Sequence, residues 1–100
     1  MKTVALKLVT IVAETVLEDR LVRDLAAAGA RGYTVSTVRG RGSRGVRASD
    51  WEGGNVRIEV IVSDEVSDKV LDLLAERYFP NYAVVAWVER VEVVRGEKYI

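Results

Sequence analysis

The residues best suited to chemistry are concentrated in one stretch. Between Leu25 and Ser49 there is no Asp or Glu, yet Arg31, Arg39, Arg41, Arg44 and Arg47 all fall there. The last four alternate with Gly40, Gly42 and Gly45, and Ser43 adds a hydroxyl. A guanidinium offers a planar fork of donors that matches phosphate or carboxylate, and glycine lets backbone N–H groups come close to an anion. Two readings stand for this stretch: a phosphate cradle, or a solvated loop whose charges keep it soluble. Gly40-Arg-Gly-Ser-Arg-Gly45 matches the dinucleotide-binding glycine pattern letter for letter, but no helix opens at its third glycine, so the match is accidental. No Gly-Lys-Ser/Thr of a P-loop is present.

Other chemistry is excluded by composition. The chain has no cysteine and no histidine, so there can be no disulfide framework, Cys/His zinc site, thiolate nucleophile or Ser-His-Asp triad. The absence of cysteine is compatible with a reducing cytoplasm. Asp64, Glu65, Asp68, Asp72 and Glu76 are spread along a helical segment and read as a solvated face. Glu59 shares a strand face with Arg57, which favours an ion pair between subunits over a catalytic acid. Trp87 and Tyr82 read as interface or core, and Trp51 as a loop anchor or partner contact. The balance points to a binding domain, not an enzyme.

The elements that must position these residues follow from hydrophobic periodicity. The chain has 100 residues, 49% of them hydrophobic and 30% charged, with 15 basic residues balancing 15 acidic ones. That composition suits one globular domain over 1–100 with no general attraction to nucleic acid or anionic lipid. No apolar run approaches the ~20 residues of a membrane span, and the start of the chain leads into a patterned segment rather than a signal peptide. Apolar alternation predicts a strand over 4–12, with Lys7 interrupting the odd side. Leu17, Leu21, Val22, Leu25 and Ala28 predict an amphipathic helix over 14–28, closed by Gly29 in a left-handed conformation. Strands follow at 33–38 and 56–62, separated by a glycine-rich loop over about 39–55.

Ser63 is placed as the N-cap of a second helix bearing Val66, Val70, Leu71, Leu74 and Tyr78, stopped by Pro80. The segment 82–94 is expected to be the last and longest strand, followed by a tail over 95–100. The order βαββαβ is the ferredoxin-like arrangement: an α+β fold with two helices on one face of a four-stranded antiparallel sheet. Its other face is apolar on the first and last strands. Self-association through the sheets, or coverage by the tail, would remove it from water. The RNA-binding fold with the same element order needs aromatic residues on its third strand, and Asn55–Val62 has none.

With these pieces assembled, the chain resembles the PII-like signalling proteins. It looks closest to the branch tied to inorganic carbon uptake, which comprises the bicarbonate-transporter regulator SbtB and the carboxysome-associated PII-like proteins. The segments that carry the resemblance are Gly29-Ala-Arg-Gly-Tyr-Thr-Val35, Gly40-Arg-Gly-Ser-Arg-Gly-Val-Arg47 and Arg77-Tyr-Phe-Pro-Asn-Tyr-Ala83. The resemblance implies a homotrimer with adenine nucleotides (AMP, ADP or ATP), and bicarbonate beside them, in the clefts between subunits. It makes the loop at about 39–55 the T-loop, ordered or released according to the nucleotide. Gly42, Ser43, Arg44 and Arg47 would hold phosphate, with Arg41 where lysine is common. Tyr33, Thr34 and Val35 would border the adenosine, and Tyr82-Ala83-Val84 would close the cleft from a neighbouring element.

The departures from the family pattern are specific. The Gly-Asp-Gly-Lys turn and the modifiable tyrosine of nitrogen-sensing relatives are missing, so 2-oxoglutarate sensing and uridylylation are not expected. Val84 stands where SbtB relatives have glycine. The expected function is a non-enzymatic regulator of a bicarbonate transporter or carboxysome-related partner, touching a membrane only through that partner. A slow ATP or ADP phosphohydrolase using Asp50 or Glu52, and an RNA- or polyanion-binding module, are the alternatives.

Overall fold

The computed structural model describes residues 1–40 and 54–100. Valine, isoleucine and threonine dominate its four strands, as their stiff, branched side chains favour a pleated surface. In chain order the elements are β1 (Thr3–Glu14), a 3-10 turn (Thr15–Leu17), α1 (Glu18–Ala28), β2 (Thr34–Val38), β3 (Asn55–Val62), α2 (Asp64–Arg77), β4 (Val85–Val94) and a C-terminal 3-10 turn (Gly96–Tyr99). The strands form one antiparallel sheet in the order β2-β3-β1-β4. This is the ferredoxin-like fold.

Alternation assigns the two sheet faces. Val9, Ile11 and Ala13 of β1 lie opposite Val60, Ile58 and Val56 of β3, and all six are buried. Leu21 and Leu25 of α1, with Val70 and Leu74 of α2, close over them. Fully burying a side chain of this size contributes about 1.5–3 kcal/mol, which makes this layer the source of cohesion. The helix stripes read from the sequence are the ones that pack, with Val22, Ala28, Val66 and Leu71 at their margins.

The helix ends follow local rules. Gly29 has φ 114°, and its N–H and that of Ala30 donate to the carbonyls of Ala26 and Leu25, which satisfies the orphaned end of α1. The Ser63 hydroxyl accepts from the Val66 N–H at 3.2 Å, and Asp64 and Glu65 occupy the first turn of α2, where the helix dipole favours acids.

The first three strands lie within two residues of their expected bounds, and three other boundaries move for identifiable reasons. The first helix begins as a 3-10 turn and becomes α-helical only at Glu18. The second stops at Arg77, not at Pro80 itself: Tyr78 already leaves the helical conformation, with φ −120° and ψ −52°. The last strand starts at Val85, not Tyr82. Tyr82 and Val84 are held in turns by bonds from Tyr82 N–H to the Tyr78 carbonyl and from Val84 N–H to the Tyr82 carbonyl, both 2.9 Å. At 10 residues β4 is therefore shorter than the 12-residue β1.

On the face away from the helices, one cross-strand row runs Thr34, Glu59, Thr10, Trp87. Val85 and Trp87 are exposed there in the single chain. The C-terminal segment covers one end of this face: Gly96 sits against Val4 and Leu6, and Leu6 is only 3% exposed.

One buried group is unsatisfied. The Ser67 hydroxyl on α2 is fully buried and has no hydrogen-bond partner among the described residues. Ser67→Ala removes that desolvation cost and favours the helix, so it is expected to stabilise the chain by about 1 kcal/mol in urea denaturation. A lower midpoint would show that the hydroxyl contributes a bond.

Candidate functional site

A cavity of about 550 Å³ opens on the helix-free face, between the start of β2 and the C-terminal turn. That volume lies in the range of small-molecule sites. Its floor is the register pair Leu8 and Ile61 together with Thr34 and Glu59, which face each other across β2 and β3. One wall is the irregular segment from α1 to β2, which brings Arg31, Gly32 and Tyr33; the other is Lys98 and Tyr99. Gly29 sets the first wall by turning the chain sharply out of α1. Two cations, one carboxylate, two phenols and a threonine hydroxyl thus converge on a partly apolar floor. Such a set can hold an anion at one side and accept hydrogen bonds from a ligand at the other.

The sequence reading is brought together here only in part. Tyr33, 56% exposed, and Thr34 line the cavity. Val35 is the next residue on the strand, so its side chain turns to the opposite face and packs on the core. Arg41, Gly42, Ser43, Arg44 and Arg47 lie outside the described residues, as do Asp50, Trp51 and Glu52. The root of that loop, where Val38 pairs with Asn55, is four residues beyond Thr34 along β2, or about 13 Å.

Tyr82, Ala83 and Val84 are elsewhere in the chain. They precede β4, which is the sheet edge opposite β2, about 14 Å away across three strand spacings. The Val84 side chain is buried in the core. Tyr82 accepts a hydrogen bond from the Arg20 guanidinium at 3.0 Å. That guanidinium lies 4.8 Å from the Tyr78 ring centre and 5.4 Å from that of Tyr82, at cation–π distances. The Tyr78 hydroxyl donates to Asp24 at 2.6 Å, and Arg77 lies 3.6 Å from the same carboxylate. Among the described residues, none of this turn lines the cavity.

Several lining residues escaped the sequence reading. Arg31 was visible in the acid-free run but was not placed at a site. Glu59 was read as a partner in an ion pair between subunits and not as a lining residue; among the described residues of one chain no ion pair involves it. Lys98 and Tyr99 left no signal, because a four-residue turn folding back over a sheet has no periodicity to detect.

Comparison with known proteins gives a consistent result. The family model for nitrogen regulatory protein P-II matches residues 6–98. A structure from Thermus thermophilus, described as a PII-like signalling protein, is 60% identical over 100% of both chains, with a TM-score of 0.88. CPII from Thiomonas intermedia, bound to ADP and bicarbonate, is 25% identical over 99% of this chain and 98% of its own, with a TM-score of 0.87. CPII bound to ADP, AMP and bicarbonate, called a nitrogen regulatory PII-like protein, is also 25% identical. It covers 94% of this chain and 98% of its own, with a TM-score of 0.82.

The aromatic cluster yields a pH test. Burial, and then the hydrogen bond to ionised Asp24, push the Tyr78 phenol well above its ordinary value. A group raised in the folded state stabilises fully below its unfolded value, near 10 for tyrosine, and loses that contribution as pH climbs toward the folded value. Tyr78→Phe should therefore cost about 1.5–3 kcal/mol at pH 8, the range of a hydrogen bond to a charged group. The gap between variant and parent should narrow above about pH 10. Urea titrations at pH 8 and pH 11 giving the same gap would remove Tyr78 from this role.

Proposed function

Because the chain belongs to the nitrogen regulatory protein P-II family, we propose that it is a non-enzymatic nucleotide sensor working as a homotrimer. The ligand is an adenine nucleotide, AMP, ADP or ATP, with bicarbonate as a second anion. The observation that carries this reading is the cavity that pairs Arg31 and Lys98 with Glu59 and Thr34 on an exposed sheet face. Cations suit the phosphate end of such a ligand; the carboxylate and hydroxyl suit the hydroxyl and amino groups of its nucleoside. The ADP and bicarbonate carried by CPII support the same ligand class.

Assembly supplies what one chain lacks. Thr34 and the Tyr82-Ala83-Val84 turn belong to opposite sheet edges, so they can meet only across a contact between copies. The apolar face around Val85 and Trp87 gives that contact its driving force. In the trimer, Tyr33 and Thr34 border the adenosine, as does the backbone of Val35. Arg41, Gly42, Ser43, Arg44 and Arg47 of the T-loop hold phosphate, and a neighbouring copy's 82–84 turn closes the cleft. Nucleotide state then reaches a partner through the loop. That partner is a bicarbonate transporter or carboxysome-related protein met in the cytoplasm. No described helix is long and apolar enough to cross a membrane.

A thermal-shift panel of AMP, ADP and ATP, with and without bicarbonate, tests the ligand. A nucleotide at 100 times its Kd adds about 2.7 kcal/mol to the folded state and raises the melting temperature by several degrees. A flat panel would sink the reading. Each charged phosphate contact is worth about 1.5–3 kcal/mol. Arg31→Ala and Arg47→Ala are accordingly each expected to weaken ADP about tenfold to a hundredfold in titration calorimetry. Sedimentation should still show a trimer; single chains would remove the shared cleft.

A further inference from the structure

The turn between α2 and β4 is fastened at both ends and open in the middle. Tyr78 before it and Val84 after it are buried, while residues 79–83 are all exposed. Its backbone hangs from one carbonyl: the N–H groups of Asn81 and Tyr82 both donate to that of Tyr78, at 3.0 and 2.9 Å. The carbonyl is itself fixed, because the Tyr78 ring is fully buried and its hydroxyl donates to Asp24 of α1 at 2.6 Å. What this scaffold leaves open is the Tyr82 side chain, whose ring stands 6.0 Å from that of Tyr78 at a tilt of 48°.

Arg20 fills that gap. It lies four residues before Asp24 on α1, the spacing at which an arginine and a carboxylate on one helix face pair. They do not pair here: Asp24 accepts from Tyr78 and faces Arg77 at 3.6 Å, and no salt bridge among the described residues includes Arg20. The guanidinium lies instead against both tyrosine rings and donates to the Tyr82 hydroxyl. Among the described residues, this is the one side-chain hydrogen bond that reaches residues 79–83. A planar cation can stack and donate at once, a geometry that the ammonium of lysine does not reproduce. One residue of α1 thereby sets the direction of an aromatic side chain that no strand holds.

We infer that Arg20 is a positioning residue for ligand binding: it touches no ligand, and by orienting Tyr82 it fixes the shape in which the 82–84 turn closes a neighbouring copy's cleft. The ligand half of this inference rests on the sensor reading above; the hold of Arg20 on the turn stands without it. Arg20 lies outside the apolar core, so its loss spares the fold and frees the Tyr82 ring to rotate. The ligand must then order that side chain on binding, and affinity falls by the cost of the ordering.

The test reads hydrogen exchange at Asn81, Tyr82 and Val84, and titration with ADP, in the parent chain, Arg20→Ala, Tyr82→Ala and the double variant. Arg20→Ala should speed exchange at these amides about threefold or more and weaken ADP about threefold to tenfold, the worth of a cation–π contact with a hydrogen bond. In the Tyr82→Ala background the same change should alter ADP affinity by less than about twofold, because its effect passes through the tyrosine. Losses that multiply in the double variant overturn the action through Tyr82, and unchanged exchange in Arg20→Ala overturns its hold on the turn. Faster exchange with unchanged ADP affinity overturns the ligand role. A parent chain that binds no ADP overturns the sensor reading and the ligand role with it, while the exchange data still decide the hold on the turn.

Discussion

A sheet with helices on one side has two faces, and β1 must serve both because it lies between β3 and β4. Successive side chains point to opposite faces, so Val9, Ile11 and Ala13 are committed to the core while Leu6, Leu8, Thr10 and Val12 are committed to the other face. Neither set can be exchanged for the other without moving the register by one residue and exposing the core. The candidate site is therefore built on the reverse side of the same strand that stabilises the fold. This explains why the odd and even positions of β1 are both so apolar, a pattern that a sheet wetted on one side would not show.

The open face is organised by what its edges contribute. At one end the C-terminal turn shields Val4 and Leu6 and lends Lys98 and Tyr99 to the cavity. At the other end Val85 and Trp87 are uncovered. On the helix side, the turn before β4 is pinned by Arg20 between two tyrosines and by the bond from Tyr78 to Asp24. That cluster joins α1 to the end of α2 and sets where β4 begins. It also accounts for the late start of β4 at Val85, since Tyr82 is occupied by Arg20 instead of by a strand neighbour.

Much of the fold was legible because it depends on short-range periodicity. The stripe from Leu17 to Ala28, the alternation of Val56, Ile58, Val60 and Val62, the cap at Ser63 and the left-handed Gly29 are local signals, and each matched its element. The boundaries that moved did so where tertiary contacts override propensity, at the 3-10 start of the first helix and at Tyr82. The site was less legible. Tyr33 and Thr34 were reached through the family resemblance, not through periodicity or spacing. The meeting of Lys98 and Tyr99 with Glu59 depends on segments brought together from β3 and from the end of the chain.

Composition and order alone determined the class of fold, the lack of cysteine and histidine chemistry, and the acid-free arginine run, because these follow from residue types and their spacing. Only the tertiary structure decided that Val35 faces the core, that Val84 is buried, and that Arg31 and Lys98 border one cavity. It also decided that Thr34 and Tyr82 stand at opposite sheet edges. The reason is geometric: strand order and the path of the C-terminal turn are set by long-range packing, and long-range packing has no period in the chain.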